Sequence, residues 1–126
     1  MILQIDVNSE KPLYKQIYES ILLGIARKSL APGASLPSVR QLGGELGVNL
    51  HTVNKAYRLL AQDGFVVINK KKGAFIAMNF SMDEKNLEDL QKSLTILLAK
   101  AHVKGLSLKE TQSLVQSITQ DFTEEA

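Results

Sequence analysis

The spacing of apolar positions changes along the chain, and each change marks an element. Ile2 to Val7 alternate apolar and polar residues, the period of a short strand or an extended arm. From Tyr14 the period lengthens. Tyr14, Ile17, Tyr18, Ile21, Leu22 and Ile25 fall on one helical face, turned toward a core. Pro12 suits a first helical turn, with Asn8 and Ser9 as candidate caps. Arg27 and Lys28 place cations in the last turn, at the negative end of the helix dipole, and Pro32-Gly33 stops the helix.

A second, shorter helix opens at Leu36-Pro37-Ser38. Ser38 and Gln41 have the spacing of a capping box, and Val39, Leu42 and Leu46 supply a buried side. Gly43 and Gly44 each weaken a helix by roughly 1 kcal/mol relative to alanine. Small residues there predict that another helix backbone comes close. Gly47 ends this helix, and Asn49 caps a third, which buries Val53, Ala56, Tyr57 and Leu60 and stops at Asp63-Gly64. Phe65 to Ile68 then reads as a strand, Asn69 to Gly73 as a polar loop, and Ala74 to Met78 as a returning strand. Three helices and a hairpin, with a tight turn between helices two and three, predict a winged helix-turn-helix: a mainly α fold with a small β-hairpin.

Beyond it the period changes once more. Ser81 and Glu84 predict a capping box, and Leu87, Leu90, Leu94, Leu97 and Ala101 follow at spacings alternating between three and four, a heptad seam. Lys104-Gly105 closes that helix. Ser107 and Glu110 open another, whose stripe is Leu114, Val115, Ile118 and Phe122. Two helices cannot hide two such stripes from water by themselves. A second copy of the chain is the simplest cover, with Leu87, Leu90, Leu94, Leu97, Ala101, Leu114 and Ile118 at the dimer interface. The expected division is a winged-helix domain over residues 1–79 and a two-helix dimerisation region over residues 80–126.

Composition narrows the function. A chain 44% hydrophobic and 22% charged is folded rather than collagen-like or disordered. Its 126 residues leave room for one compact domain, or a small domain with an appendage, which argues against a large cofactor-carrying enzyme. Without cysteine there is neither a disulfide framework nor a thiolate metal site. No apolar run approaches the ~18 residues of a membrane span, and the opening residues lack the basic start and long apolar core of a signal peptide. The expected location is the cytoplasm, without a membrane partner. The net charge of +2 hides an asymmetry: ten Lys/Arg against five Asp/Glu over residues 1–80, then five against eight over residues 81–126. A basic first part suits a polyanion.

Catalysis finds no residues to stand on. The two histidines, His51 and His102, sit on different elements, and Gly43-Gly44 lies within a helix rather than in a phosphate loop. Asp83-Glu84 and Glu88-Asp89 occupy first helical turns, where negative charge is favoured for structural reasons. No catalytic residue, metal ligand or cofactor is expected.

The third helix offers something else. Its buried side leaves Leu50, His51, Thr52, Asn54, Lys55 and Arg58 outside, with Asn49 at its start. An α-helix fits the DNA major groove, where His51, Thr52 and Asn54 could reach base edges and Lys55 and Arg58 phosphates. Arg40, in the first turn of helix two, could reach a phosphate or a guanine edge, or pair with Glu19 or Glu45 instead. Ser38 is explained by its cap role, although a helix N-terminus there could present amides to a phosphate. Lys70, Lys71 and Lys72, with Gly73, form a wing suited to a minor groove; a solubilising turn would have the same composition.

Several motifs in order resemble the N-terminal signature of GntR-type bacterial transcription regulators. They are Pro12-Leu13-Tyr14-Lys15-Gln16-Ile17, Leu30-Ala31-Pro32-Gly33, Leu36-Pro37-Ser38-Val39-Arg40, Leu46-Gly47-Val48-Asn49, Thr52-Val53 with Ala56-Tyr57, and Gly73-Ala74-Phe75. The short two-helix tail is similar to that of the YtrA subfamily. The resemblance implies a homodimeric winged-helix regulator, usually a repressor, often of neighbouring transporter genes. It implies DNA contacts at Arg40 and Thr52, and a wing at Gly73. Many relatives carry arginine where this chain has Leu50, so different base preferences are expected, with Leu50 suited to a thymine methyl.

The partners expected are double-stranded operator DNA and a second copy of the chain; a small-molecule effector could be added between the tail helices, where no charged or aromatic cluster names a ligand. The competing reading is a winged helix that binds an acidic protein and no DNA. His102 is read as a partner of the helix dipole, ahead of a dimer contact or half of a metal site.

Overall fold

The structure, a computed structural model, describes residues 3–123; Ile2, where the predicted strand or arm begins, lies outside them. The chain divides into two compact units between Phe80 and Ser81.

In the first unit, residues 3–6 join no sheet, which decides for the arm over the strand. Leu3 and Ile5 pack against the core. The Gln16 side chain holds the arm: its Oε1 accepts from the Asp6 N–H at 2.7 Å, and its Nε2 donates to the carbonyls of Asp6 at 3.0 Å and Lys11 at 2.9 Å. Helix α1 spans Leu13–Ala26 and buries Ile17 and Ile21 completely. Its N-cap is Pro12, with no side-chain cap; Ser9, expected as one, accepts from the Lys11 N–H instead. Its end also departs from expectation. Arg27 is the C-cap and Lys28 follows in the left-handed region at φ 65°, so both cations lie just past the last turn. The N–H of Lys28 bonds the Ile25 carbonyl and that of Ser29 the Gly24 carbonyl, the paired closure of a Schellman motif. That closure ends the helix well before Pro32-Gly33.

Helix α2 (Val39–Leu46) is capped by Ser38, whose Oγ accepts from the Gln41 N–H at 3.0 Å. Only half of the expected box forms, because the Gln41 side chain turns to Glu45. Gly47, at φ 70°, ends α2, and α3 (Leu50–Gln62) follows at once, with Asn49 accepting from the His51 N–H. Val53, Ala56, Tyr57 and Leu60 are buried, as the apolar pattern requires.

The two helical glycines have different reasons. A Cβ on Gly43 would lie 2.9 Å from the Val48 carbonyl oxygen and 3.4 Å from the Leu50 Cα, so the predicted close approach is real there. Gly44 has nothing within 4 Å and is exposed. The chain's own packing gives Gly44 no reason to lack a side chain. Gly44→Ala is therefore expected to stabilise the chain by about 1 kcal/mol, raising Tm by roughly 4–8 °C in thermal unfolding.

Strands β1 (Val66–Asn69) and β2 (Gly73–Ile76) pair antiparallel, with Val66 opposite Ile76 and Asn69 opposite Gly73. β1 begins and ends one residue later than the expected Phe65–Ile68, and β2 begins one residue earlier than the expected Ala74–Met78 and ends two residues earlier, at Ile76. At the turn Asn69 is responsible: its Oδ1 accepts from the N–H groups of Lys71 and Lys72, closing the turn, while Gly73 takes φ 95°. A segment read only as a helix stop adds to this sheet. Ser35 bridges Phe75, and bonds of 2.8 Å join Gly33 to Ile76, Ile76 to Ala34, and Leu36 to Ala74.

In the second unit, α4 spans Glu84–Val103 and α5 Leu108–Thr123. The start of α4 corrects the expected Ser81–Glu84 box. Asp83 is the N-cap and boxes with Asn86, each side chain bonding the other's N–H. At α5 the expected Ser107–Glu110 box is present in both directions. The Ser107 N–H and hydroxyl hold the Glu110 carboxyl below its ordinary range. Neither helix has a buried residue: Leu87, Leu90, Leu94 and Leu97 are between 41% and 63% exposed, and Leu114 and Ile118 are exposed to a similar degree. Among the described residues no helix is long and apolar enough to cross a membrane.

Candidate nucleic-acid interface

The face of α3 follows from its core side. With Val53, Ala56, Tyr57 and Leu60 turned inward, His51, Lys55 and Arg58 are exposed and Leu50, Thr52 and Asn54 half-buried. His51, Asn54, Lys55 and Arg58 line one shallow hollow, together with Leu59 and Gln62. A second hollow joins α2 to the start of α3 and is lined by Arg40, Gly43, Gly44, Gly47, Val48 and Leu50. Of the predicted residues of helices two and three, His51, Asn54, Lys55 and Arg58 thus share the first hollow and Arg40 and Leu50 the second, while Ser38, Asn49 and Thr52 line neither. Lys70, Lys71, Lys72 and Gly73 form a separate exposed group at the hairpin turn and line neither hollow.

Each side chain's partners set what it can do. Arg40 pairs with neither Glu19 nor Glu45: Glu19 holds the Lys11 ammonium at 2.6 Å, and Glu45 accepts from Gln41. Its guanidinium therefore keeps its donors for another partner. Ser38 and Asn49 have spent their side-chain oxygens on capping, which explains both without a ligand. Lys55 places its ammonium 4.0 Å from the centroid of the Tyr14 ring. The helix contains no carboxylate at all, so its outer face is uniformly basic or neutral.

Two tyrosines hold this geometry in place, and the apolar stripe alone counted both as core. The Tyr57 hydroxyl donates to the Pro37 carbonyl at 2.7 Å, tying α3 to the residue before the Ser38 cap. Burial raises its pKa, with a smaller contribution from the Glu45 carboxylate, so it stays a donor at any physiological pH. The Tyr18 hydroxyl donates to Asp63, linking α1 to the C-cap of α3, and burial first, then Asp63, raises its pKa too. A buried tyrosine in an apolar stripe is the available signal, because its hydroxyl requires a partner. Tyr57→Phe would leave the Pro37 carbonyl without its donor. A loss of about 1 kcal/mol is expected, read as a lower urea midpoint at unchanged m.

A short helix and its successor joined at Gly47, a basic outward face on the second, and a lysine-tipped hairpin define a winged helix-turn-helix protein. The chain belongs to the gntR family of bacterial regulatory proteins, whose model matches residues 13–76. It is 30% identical, over 95% of its length and 94% of the relative's, to the HTH-type transcriptional repressor YtrA of Bacillus subtilis. A structure titled transcriptional antiterminator, from Listeria monocytogenes, superposes with a TM-score of 0.88 at 27% identity, covering 100% of this chain and 96% of that one. The DNA-binding domain of AraR in complex with operator ORX1 matches with a TM-score of 0.53 at 30% identity, over 60% of this chain and 93% of that one.

Proposed function

We propose that this chain is a sequence-specific transcription regulator, a repressor, that binds an inverted-repeat operator as a homodimer in the bacterial cytoplasm. One observation carries the DNA reading. The outward face of α3, positioned by a fully buried inner face, presents His51, Asn54, Lys55 and Arg58 in one hollow without a carboxylate to compete. In the proposed complex α3 enters the major groove. His51, Thr52 and Asn54 meet base edges, Leu50 a thymine methyl, and Lys55 and Arg58 phosphates. Arg40 supplies a donor fork beside them, and Lys70, Lys71 and Lys72 lie along the minor groove. The names of the YtrA relative and of the AraR operator complex support this reading.

The homodimer reading rests on the second unit, where the exposed leucines of α4 and the stripe of α5 need a cover. Any small-molecule effector would have the open hollow beside Leu98, Leu108 and Val115, whose remaining lining is threonine and glutamine. The competing protein partner finds little on α3, since protein hot spots favour aromatic anchors and none lines either hollow.

Fluorescence anisotropy on duplex DNA from upstream of the gene tests the proposal, with an unrelated duplex of equal length and a salt series alongside. Binding at least ~10³-fold tighter to the upstream duplex, weakening steeply with salt, is expected. Binding to neither duplex at low salt would overturn it.

A further inference from the structure

Lys55 is the one basic residue of α3 held by an aromatic ring, and that ring comes from α1. Its ammonium sits 4.0 Å from the Tyr14 centroid, and among the described residues it pairs with no carboxylate. The difference between these two kinds of partner is functional. A carboxylate would fix a lysine and cancel its charge toward anything approaching from outside. A ring quadrupole fixes the ammonium and leaves its full positive charge and its N–H donors available. The surroundings make such a hold useful, because Arg58 lies three residues along the same helix face and repels Lys55. Unheld, a lysine on this face would swing away on its flexible four-carbon stem.

We propose that Tyr14 is a positioning residue for DNA binding: its ring presets the Lys55 ammonium on the outer face of α3, without neutralising it, to meet a backbone phosphate. The inference rests on the reading of α3 as the DNA-facing helix. It adds a residue of α1 to the working parts of that interface, one that never touches a base. Because the hold is made before DNA arrives, Lys55 surrenders little conformational freedom on binding.

Anisotropy titrations in a salt series, with the full chain on the upstream and unrelated duplexes, test this. Lys55→Met is expected to weaken binding to both duplexes by roughly 3- to 10-fold at low salt and to reduce the slope of log K against log salt by about 1, the signature of one lost phosphate contact. Tyr14→Leu should reproduce both changes, and Tyr14→Phe, which keeps the ring, should reproduce neither. In the Lys55→Met background, Tyr14→Leu should add nothing. A Tyr14→Leu chain that folds and keeps the wild-type salt slope overturns the proposal.

If Tyr14→Leu fails to fold, NMR on the wild-type chain decides. Ring-current upfield shifts of the Lys55 side-chain methylenes, retained when duplex is added, support the positioning role, and their absence overturns it. A neutral Lys55→Met beside a damaging Arg58→Met overturns this inference while leaving DNA binding by α3 intact. Failure of the wild-type chain to bind either duplex removes the reading beneath it.

Discussion

Replacing Leu90 and Leu97 together by glutamate is expected to give a folded monomer that binds operator DNA at least about 100-fold more weakly than the parent chain. The two leucines lie seven residues apart on α4, 47% and 63% exposed, in line with Leu87 and Leu94. A helix of 20 residues with no buried side chain and four half-exposed leucines along one line is not a finished surface. Two carboxylates there would have to be desolvated in any helix-to-helix seam, at several kcal/mol each. The first unit shares none of these contacts in its own core, so its helices should survive. DNA affinity should fall because, in the proposed homodimer, two half-sites joined in one molecule bind with an effective concentration that a monomer lacks. Sedimentation velocity and anisotropy on the same preparations measure both effects. A double variant that still sediments as a dimer with unchanged affinity would remove α4 from the interface.

Leu42→Ala is expected to cost 2–5 kcal/mol, the range for truncating a fully buried leucine, and to take DNA binding with it before global unfolding. Leu42 is the one completely buried side chain of α2, a helix of eight residues that carries Arg40 on its outer side. Its other anchorage is the backbone approach at Gly43 and the half-buried Val39 and Leu46. So short a helix has little stability of its own in water, and tertiary packing must hold it. Truncation should therefore loosen α2 relative to α3 and scatter Arg40 from Leu50. Chemical denaturation measures the stability loss. Hydrogen exchange should show earlier opening of the α2 amides than of those around Val53 and Leu60.

Much of this arrangement was legible in the order of residues. The inner face of α3 is given by Val53, Ala56, Tyr57 and Leu60, all four of them buried, so the outer face was known by subtraction. The caps at Ser38, Asn49 and Ser107 are local hydrogen bonds, closed by residues two or three apart, and local bonds leave a local signature. Where two local solutions compete, the same signature misleads. Ser81 and Glu84 fit a capping box, yet Asp83 with Asn86 makes one two residues later. Gln41 fits the box of Ser38, yet finds Glu45 on its own helix.

What periodicity and capping chemistry could establish was the set of elements, their inward faces and the basic outer side of α3, because these depend on neighbours within a turn or two. The hold of Tyr14 on Lys55, the bond of Tyr57 to Pro37 twenty residues away, the clamp of Gln16 on the arm and the pairing of Ser35 with Phe75 all join distant segments. Gly43 and Gly44 make the point most plainly. They are neighbours of identical chemistry, and only the path of the backbone through Val48 and Leu50 makes one of them indispensable. A side chain's identity limits the partners it can take, but which partner lies within reach is a property of the folded chain.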